Sequence, residues 1–387
     1  MSTLKVGGIR GVSASSDAIT VANDGTCTAN LTSIGGSQLA NRNKIHNGSM
    51  QVAQRGTSFT PSGTEQPFTL DRFQHIGTSG IDFDSTDTQS TDHPDGFSFS
   101  MKITPDSTDT PTGSANAAIQ HRIEGQDMQD LAYGTSSAKQ VTVSFYAKSS
   151  SQNNGHQYGV ELAHYATDGT RRLINSSFTV TSSWQRFTFT FDGDTAHDII
   201  NSNARGFDFN IHLASGADDI STHTSWTSNN LFRTPTGQSN FLDNTSNEFY
   251  LTGCQLEVGS VATDFEHLSF QDDYLNCARY YIQMNRLAVM SNRVAGHCSC
   301  TTRFNPVPMR AIPSVSIAGT LTFNSFFYGG GQPTSTTTPG FQNNGDSGQP
   351  YGGDNMILNF SGFSTSNFQT NEFGEVFGTT ISISAEL

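Results

Sequence analysis

Flat aromatic rings set in polar loops are the side chains here best suited to ligand chemistry. Such a ring can stack on a sugar face while nearby amides, carboxylates or arginines fix the hydroxyls. Trp226 is one. It lies in Ser221-Thr222-His223-Thr224-Ser225-Trp226-Thr227-Ser228-Asn229-Asn230, a stretch with no apolar periodicity. It is either a ligand contact or an anchor that pins the loop to the body beneath. Tyr158, His164 and Tyr165 share one strand-like segment and either face a ligand or pack across strands. Tyr328 and Tyr351, with Phe326 and Phe327, flank a glycine-rich stretch and form an alternative receptor site, with subunit contact as the competing role. Trp184 precedes a run of core-like phenylalanines and reads as structural.

Catalytic chemistry is less well served. Glycan hydrolysis needs two carboxylates about 5–9 Å apart across a bond. The doublets Asp218-Asp219 and Asp272-Asp273 are adjacent in sequence, which does not place them across anything. Lipase-type, phosphate-cradling and metalloprotease motifs are absent, as is the internal repeat of a parallel β-helix. Cys298-Ser299-Cys300 lacks the second ligand pair of a tetrahedral zinc site and reads as alternation on a strand. The expectation is a protein that is not an enzyme, with no cofactor and no metal.

The elements that must position these groups follow from composition. Of 387 residues, 34% are hydrophobic and 14% charged, so uncharged Ser, Thr, Asn, Gln and Gly supply the polar surface. These residues favour helices poorly. Twenty-eight phenylalanines against two tryptophans, scattered among turn residues, fit an all-β protein of many short strands. A net charge of −14 opposes nucleic-acid binding. Five cysteines at irregular spacing suggest reduced thiols. No apolar stretch reaches the ~20 residues of a membrane span, and no secretory signal opens the chain. Synthesis in the cytoplasm without membrane insertion is expected.

The chain divides into parts. Residues 1–45 hold short alternations (Leu4, Val6; Ile19, Val21) around the turn Asn23-Asp24-Gly25, too few for a core, and read as an assembly segment. Residues 46–270 hold strand candidates at 140–148, 157–165, 177–180, 184–191, 206–213 and 249–258. One face of each is dry: Val141, Val143, Phe145 and Ala147; Phe187, Phe189 and Phe191; Phe207, Phe209, Ile211 and Leu213. That alternation predicts an antiparallel jelly-roll sandwich. Residues 271–286 carry a connecting helix with Asp272 and Asp273 at its start. Residues 287–387 form a smaller, distal β domain, with a long surface loop at 329–353 and a last strand at 379–387.

Several motifs then resemble one family. Asn41-Arg42-Asn43-Lys44-Ile45-His46-Asn47-Gly48-Ser49-Met50-Gln51-Val52-Ala53-Gln54-Arg55-Gly56-Thr57 with Asp71-Arg72-Phe73 is similar to the start of the sandwich in tail-fibre-like proteins of bacteriophages. Thr252-Gly253-Cys254-Gln255-Leu256-Glu257-Val258-Gly259 with Ala262-Thr263-Asp264-Phe265-Glu266-His267 is similar to its end. Cys277-Ala278-Arg279-Tyr280-Tyr281, the closing Ser384-Ala385-Glu386-Leu387 and the opening Ser-Thr-Leu-Lys-Val complete the likeness. The resemblance implies a tail-fibre subunit of the virion, a homotrimer, docked on other tail proteins through residues 1–45. It implies attachment to host surface polysaccharide or lipopolysaccharide, with an adaptor or decoration protein and a tail-associated glycan hydrolase as the alternatives. The sandwich also resembles jelly-roll carbohydrate-binding modules. Some of those hold calcium where an acid follows Asn-Gly, an acid that Asn47-Gly48-Ser49 lacks.

Overall fold

The computed structural model describes residues 41–229, 231–291, 308–311, 313–318, 321–325 and 373–387. It also describes the short pieces 8–10, 19–21, 27–29, 298–302, 334–336, 342–343 and 356–360. Strands β1 (Gly8–Ile9), β2 (Ile19–Val21) and β3 (Cys27–Ala29) form a small antiparallel sheet. Twelve strands then build the main body. They are β4 (Ser58–Phe59), β5 (Phe73–Gly77), β6 (Ser85–Ser90), β7 (Ser100–Pro105), β8 (Asn116–Glu124), β9 (Val141–Ser149), β10 (Gln157–Tyr165), β11 (Arg171–Thr179), β12 (Gln185–Phe191), β13 (Arg205–Ser215), β14 (Thr227–Ser228) and β15 (Phe249–Val258).

Two six-stranded antiparallel sheets result, in the orders β14-β11-β10-β13-β8-β5 and β12-β9-β15-β7-β6-β4. They pack face to face as a jelly-roll sandwich. The alternation predicted from sequence lies inside it: Val141, Val143, Phe145 and Ala147 meet Phe207, Phe209, Ile211 and Leu213 in one buried cluster. Phe145 crosses between the sheets, 5.1 Å from the Phe178 ring and 5.9 Å from Phe209. Each such ring removed from water contributes about 1.5–3 kcal/mol, so the sandwich is held chiefly by this layer.

Four strands between residues 73 and 124 lie outside the strand candidates of the sequence. Strand β6, Ser-Thr-Asp-Thr-Gln-Ser, has no apolar residue and is held by pairing with β4 and β7. Strand β8 contains Ala117 and Ala118, which favour helix on propensity alone. Pairing with both β13 and β5 overrides that preference.

The connector is shorter than the predicted 271–286. Helix α1 spans Phe270–Ala278, and strand β16 (Tyr281–Ser291) already belongs to the next sheet. The Ser269 hydroxyl accepts from the Asp272 backbone N–H (3.1 Å), capping the helix start. The distal sheet adds β17 (Cys298–Thr302), β18 (Ser314–Ala318), β19 (Leu321–Ser325), β20 (Thr334–Thr336), β21 (Gln342–Asn343), β22 (Met356–Phe360) and β23 (Phe373–Ser384). The order is β20-β19-β23-β16-β17-β22-β21, with β18 also on β23. Its long central strand ends at Ser384 and begins at Phe373, six residues before the expected start.

The body and the C-terminal sheet meet in a charged joint. Glu386 accepts from Arg55 (2.9 Å) and from Arg72, whose guanidinium also lies 3.5 Å over the Tyr280 ring. Arg279 grips Glu124 through two nitrogens (2.7 and 2.8 Å), and the Tyr280 hydroxyl donates to the same carboxylate (2.8 Å). Arg310 donates to the carbonyls of Asn203, Ala385 and Glu386.

Candidate functional site

The outer face of the sheet containing β10 is polar, as alternation requires, yet it is not open. Gln74, Gln120, Asn210, Glu161 and Asn175 stand opposite one another across five strands, and all five are buried. Residues 219–229 and 231–240 cover one end. The Arg233 backbone N–H donates to Glu161 (2.8 Å), Asn175 donates to the carbonyls of Ser221 and Arg233 (2.9 Å each), and Arg171 donates to that of Leu231 (2.8 Å). Pro235 presses on Gly159, where a Cβ would lie 2.7 Å from its Cδ. Burial pushes the Glu161 carboxyl upward even with Arg171 paired to it at 2.5 Å. These polar groups hold a segment of their own chain.

Three of the aromatic candidates can be placed. Tyr158 is a correction: it points into the core with no exposed surface, edge-on to Phe249 at 5.5 Å, so no ligand reaches it. Tyr165 donates its hydroxyl to Asp208 (3.0 Å) beneath the Arg205 guanidinium. Trp226 donates its indole N–H to the Asp192 carbonyl (2.6 Å) and sits edge-on to His164, Tyr133 and Phe207. Its contacts are those of an anchor. Tyr328 and Tyr351 lie outside the described residues. Trp184 donates to Asp92 (3.0 Å) on the other sheet's outer face.

The Asn47-Gly48 motif is a tie between segments. The Asn47 amide donates to the Val52 and Asp71 carbonyls (2.9 Å each) and accepts from the Val52 N–H (2.8 Å). Gly48 lies so close to β15 that a Cβ would stand 2.1 Å from the Cys254 carbonyl oxygen. A serine, histidine and aspartate do converge at Ser85, His75 and Asp87. All three are buried, and His75 Nε2 is occupied by the Phe83 carbonyl (3.1 Å), so no nucleophile is presented.

An open, polar-lined cleft of about 520 Å³ lies where the start of the sandwich, a short helix and the exit segment come together. Its walls are Asn41, Asn43 and Lys44; Gln126, Asp127, Gln129 and Asp130; and Glu266 and Asn276, over Ile45, His46 and Leu268. One wall is fixed by Glu266, whose carboxylate accepts from the backbone N–H groups of Asn41, Arg42 and Asn43 (2.8–2.9 Å). The second wall is the 3-10 helix Gly125–Leu131, which buries Met128 and Leu131 and turns its amides and acids outward. Lys44 pairs with Asp130 at 2.9 Å. Asp127 is exposed, and partial desolvation with the nearby Glu124 charge raises its pKa. Burial, with the charges of Arg72 and Arg279, lowers the His46 pKa to about 3 and keeps the ring neutral. Planar amides and carboxylates over a small apolar floor are suited to hydroxyl-rich ligands.

None of these wall residues was singled out as a ligand contact by sequence. Residues 41–46 stood out only as part of a family-like motif, and 126–130 carried no signal. Segments some 80 and 140 residues apart meet only once the sandwich has folded.

No protein-family profile and no curated protein sequence matches the chain. Among solved structures it is similar to the enzymatically active domain of tailspike protein 4 of bacteriophage CBA120. That match has 13% identity, a TM-score of 0.30, and covers 56% of this chain and 21% of that one. It is also similar to a CBM4 domain (15% identity, TM-score 0.29, 55% and 99% covered). The CBM22-1 xylan-binding domain from Paenibacillus barcinonensis Xyn10C is a third neighbour (10% identity, TM-score 0.26, 53% and 98% covered).

Proposed function

We propose that this protein is a carbohydrate-binding, non-enzymatic component of a bacteriophage tail that attaches the particle to glycans of the host surface. The cleft between residues 41–46, 125–130 and 266–276 is the observation that carries the reading. It is open, and Asp127 and Asn276 in its walls make no side-chain hydrogen bond to another described residue, whereas the polar face of the sheet is occupied by the chain itself. The tail assignment is supported by the family-like motifs at the start, end and joint of the sandwich. In this reading residues 1–45 dock on another tail protein in the virion. Three subunits combine weak single-site contacts into useful avidity.

The test is binding of the full-length protein to an array of bacterial surface polysaccharides, with sedimentation to count subunits. Saturable, sugar-competed binding by a trimer is expected. A folded protein that binds none of them contradicts the attachment role and leaves a structural tail or decoration protein.

A further inference from the structure

The charge and hydrogen-bonding balance of the cleft narrows its ligand, given the glycan-binding reading above. Three carboxylates line it, Asp127, Asp130 and Glu266, against one ammonium, Lys44. Lys44 is already paired with Asp130 at 2.9 Å. Glu266 is engaged by three backbone N–H groups. The nearby Arg279 is committed to Glu124 through two bonds. Asp127 differs from all of these. It is exposed and makes no hydrogen bond or ion pair with another described residue.

Two further observations point to a donor-rich ligand. His46 Nδ1 is shielded from water yet has no hydrogen-bond partner, and its ring belongs to the cleft floor. That ring is held neutral by burial and so repels no cation. The Asn276 side chain, half-buried on α1, likewise makes no hydrogen bond to a described residue.

We infer that the cleft takes a saccharide bearing a free ammonium group, a hexosamine unit, with the ammonium set against Asp127 and a further donor met by Asn276, over the neutral His46 ring. An ammonium–carboxylate contact is charge-assisted and stronger than a neutral one. A uronate or phosphate would meet the carboxylates of Asp127 and Glu266, with Lys44 already paired to Asp130. Acidic glycans are therefore refused, and N-acetylation removes the preferred group.

The test is calorimetric titration of the full-length protein with a glucosamine tetrasaccharide, its N-acetylated counterpart, an oligogalacturonate of equal length, and spermidine. The glucosamine oligomer is expected to bind at least about tenfold more tightly than the N-acetylated one, with no binding of the uronate. Asp127→Asn is expected to remove that preference while leaving the melting temperature unchanged. Equal affinity for both oligomers, or tighter binding of the uronate, overturns the inference and leaves glycan binding intact. Spermidine binding as well as the sugar shows a charge sink and overturns it too. If none of the oligomers binds but a bacterial polysaccharide does, the ammonium preference alone fails. If no glycan of any kind binds, the proposed function fails with it.

Discussion

Trp226 buries much of its ring against Tyr133, His164 and Phe207 and fixes the 219–240 segment through the Asp192 carbonyl. Truncation to alanine is expected to cost about 2–3 kcal/mol, below the figure for a fully buried tryptophan because part of the ring is exposed. A thermal or urea melt of Trp226→Ala reads this directly, and glycan binding at the cleft is expected to persist. Buried histidines set a second residue-level expectation. His46 and His212 have pKa values lowered to about 3, in both cases first by burial. Between pH 6.5 and 3 the unfolded chain takes up protons on them that the native protein refuses, so stability falls as pH drops through that window. Each contributes up to about 1.4 kcal/mol per pH unit. Asp219, raised to about 6 by burial, acts in the opposite direction between its unfolded value and 6. His212→Gln is expected to flatten the acid-side loss when unfolding free energies at pH 6.5 and 4.5 are compared with those of the parent protein.

At the scale of elements, the wall of the cleft depends on a close approach. The backbone of residue 48 meets β15 at the Cys254 carbonyl, with room only for glycine. Gly48→Ala is expected to cost about 3 kcal/mol, the upper end for overpacking, and to weaken glycan binding by displacing Asn41 to His46. Melting and titration of the same variant check both. Strands with regular apolar alternation, such as β9, β10, β13 and β15, were legible because each pairs a dry face with a polar one. β6 and β8 were not. A strand with no apolar residue, and one rich in alanine, take their conformation from the neighbours they pair with. The cleft was illegible for a related reason, since its walls come from three segments that no local pattern connects. The polar outer face was legible as polar, but nothing in the spacing of Glu161, Asn175 and Asn210 showed that residues 219–240 would cover it.

For the molecule as a whole, the motifs that resemble tail-fibre proteins prove to be joint hardware. Arg55, Arg72, Glu386, Arg279 and Tyr280 bind the sandwich to the distal sheet, while Asn43, Asn47 and Glu266 bind its beginning to its end. The likeness therefore reports an architecture, and the proposed recognition falls to the less distinctive residues around it. The measurement that bears most directly on that division is calorimetric titration of the full-length protein with a polysaccharide it binds, against an Asp127→Ala, Asn276→Ala variant. Neither side chain makes a hydrogen bond to another described residue. Unchanged melting with affinity at least about tenfold lower is the result this account predicts. Equal affinity in the folded variant would contradict it and place recognition elsewhere on the molecule.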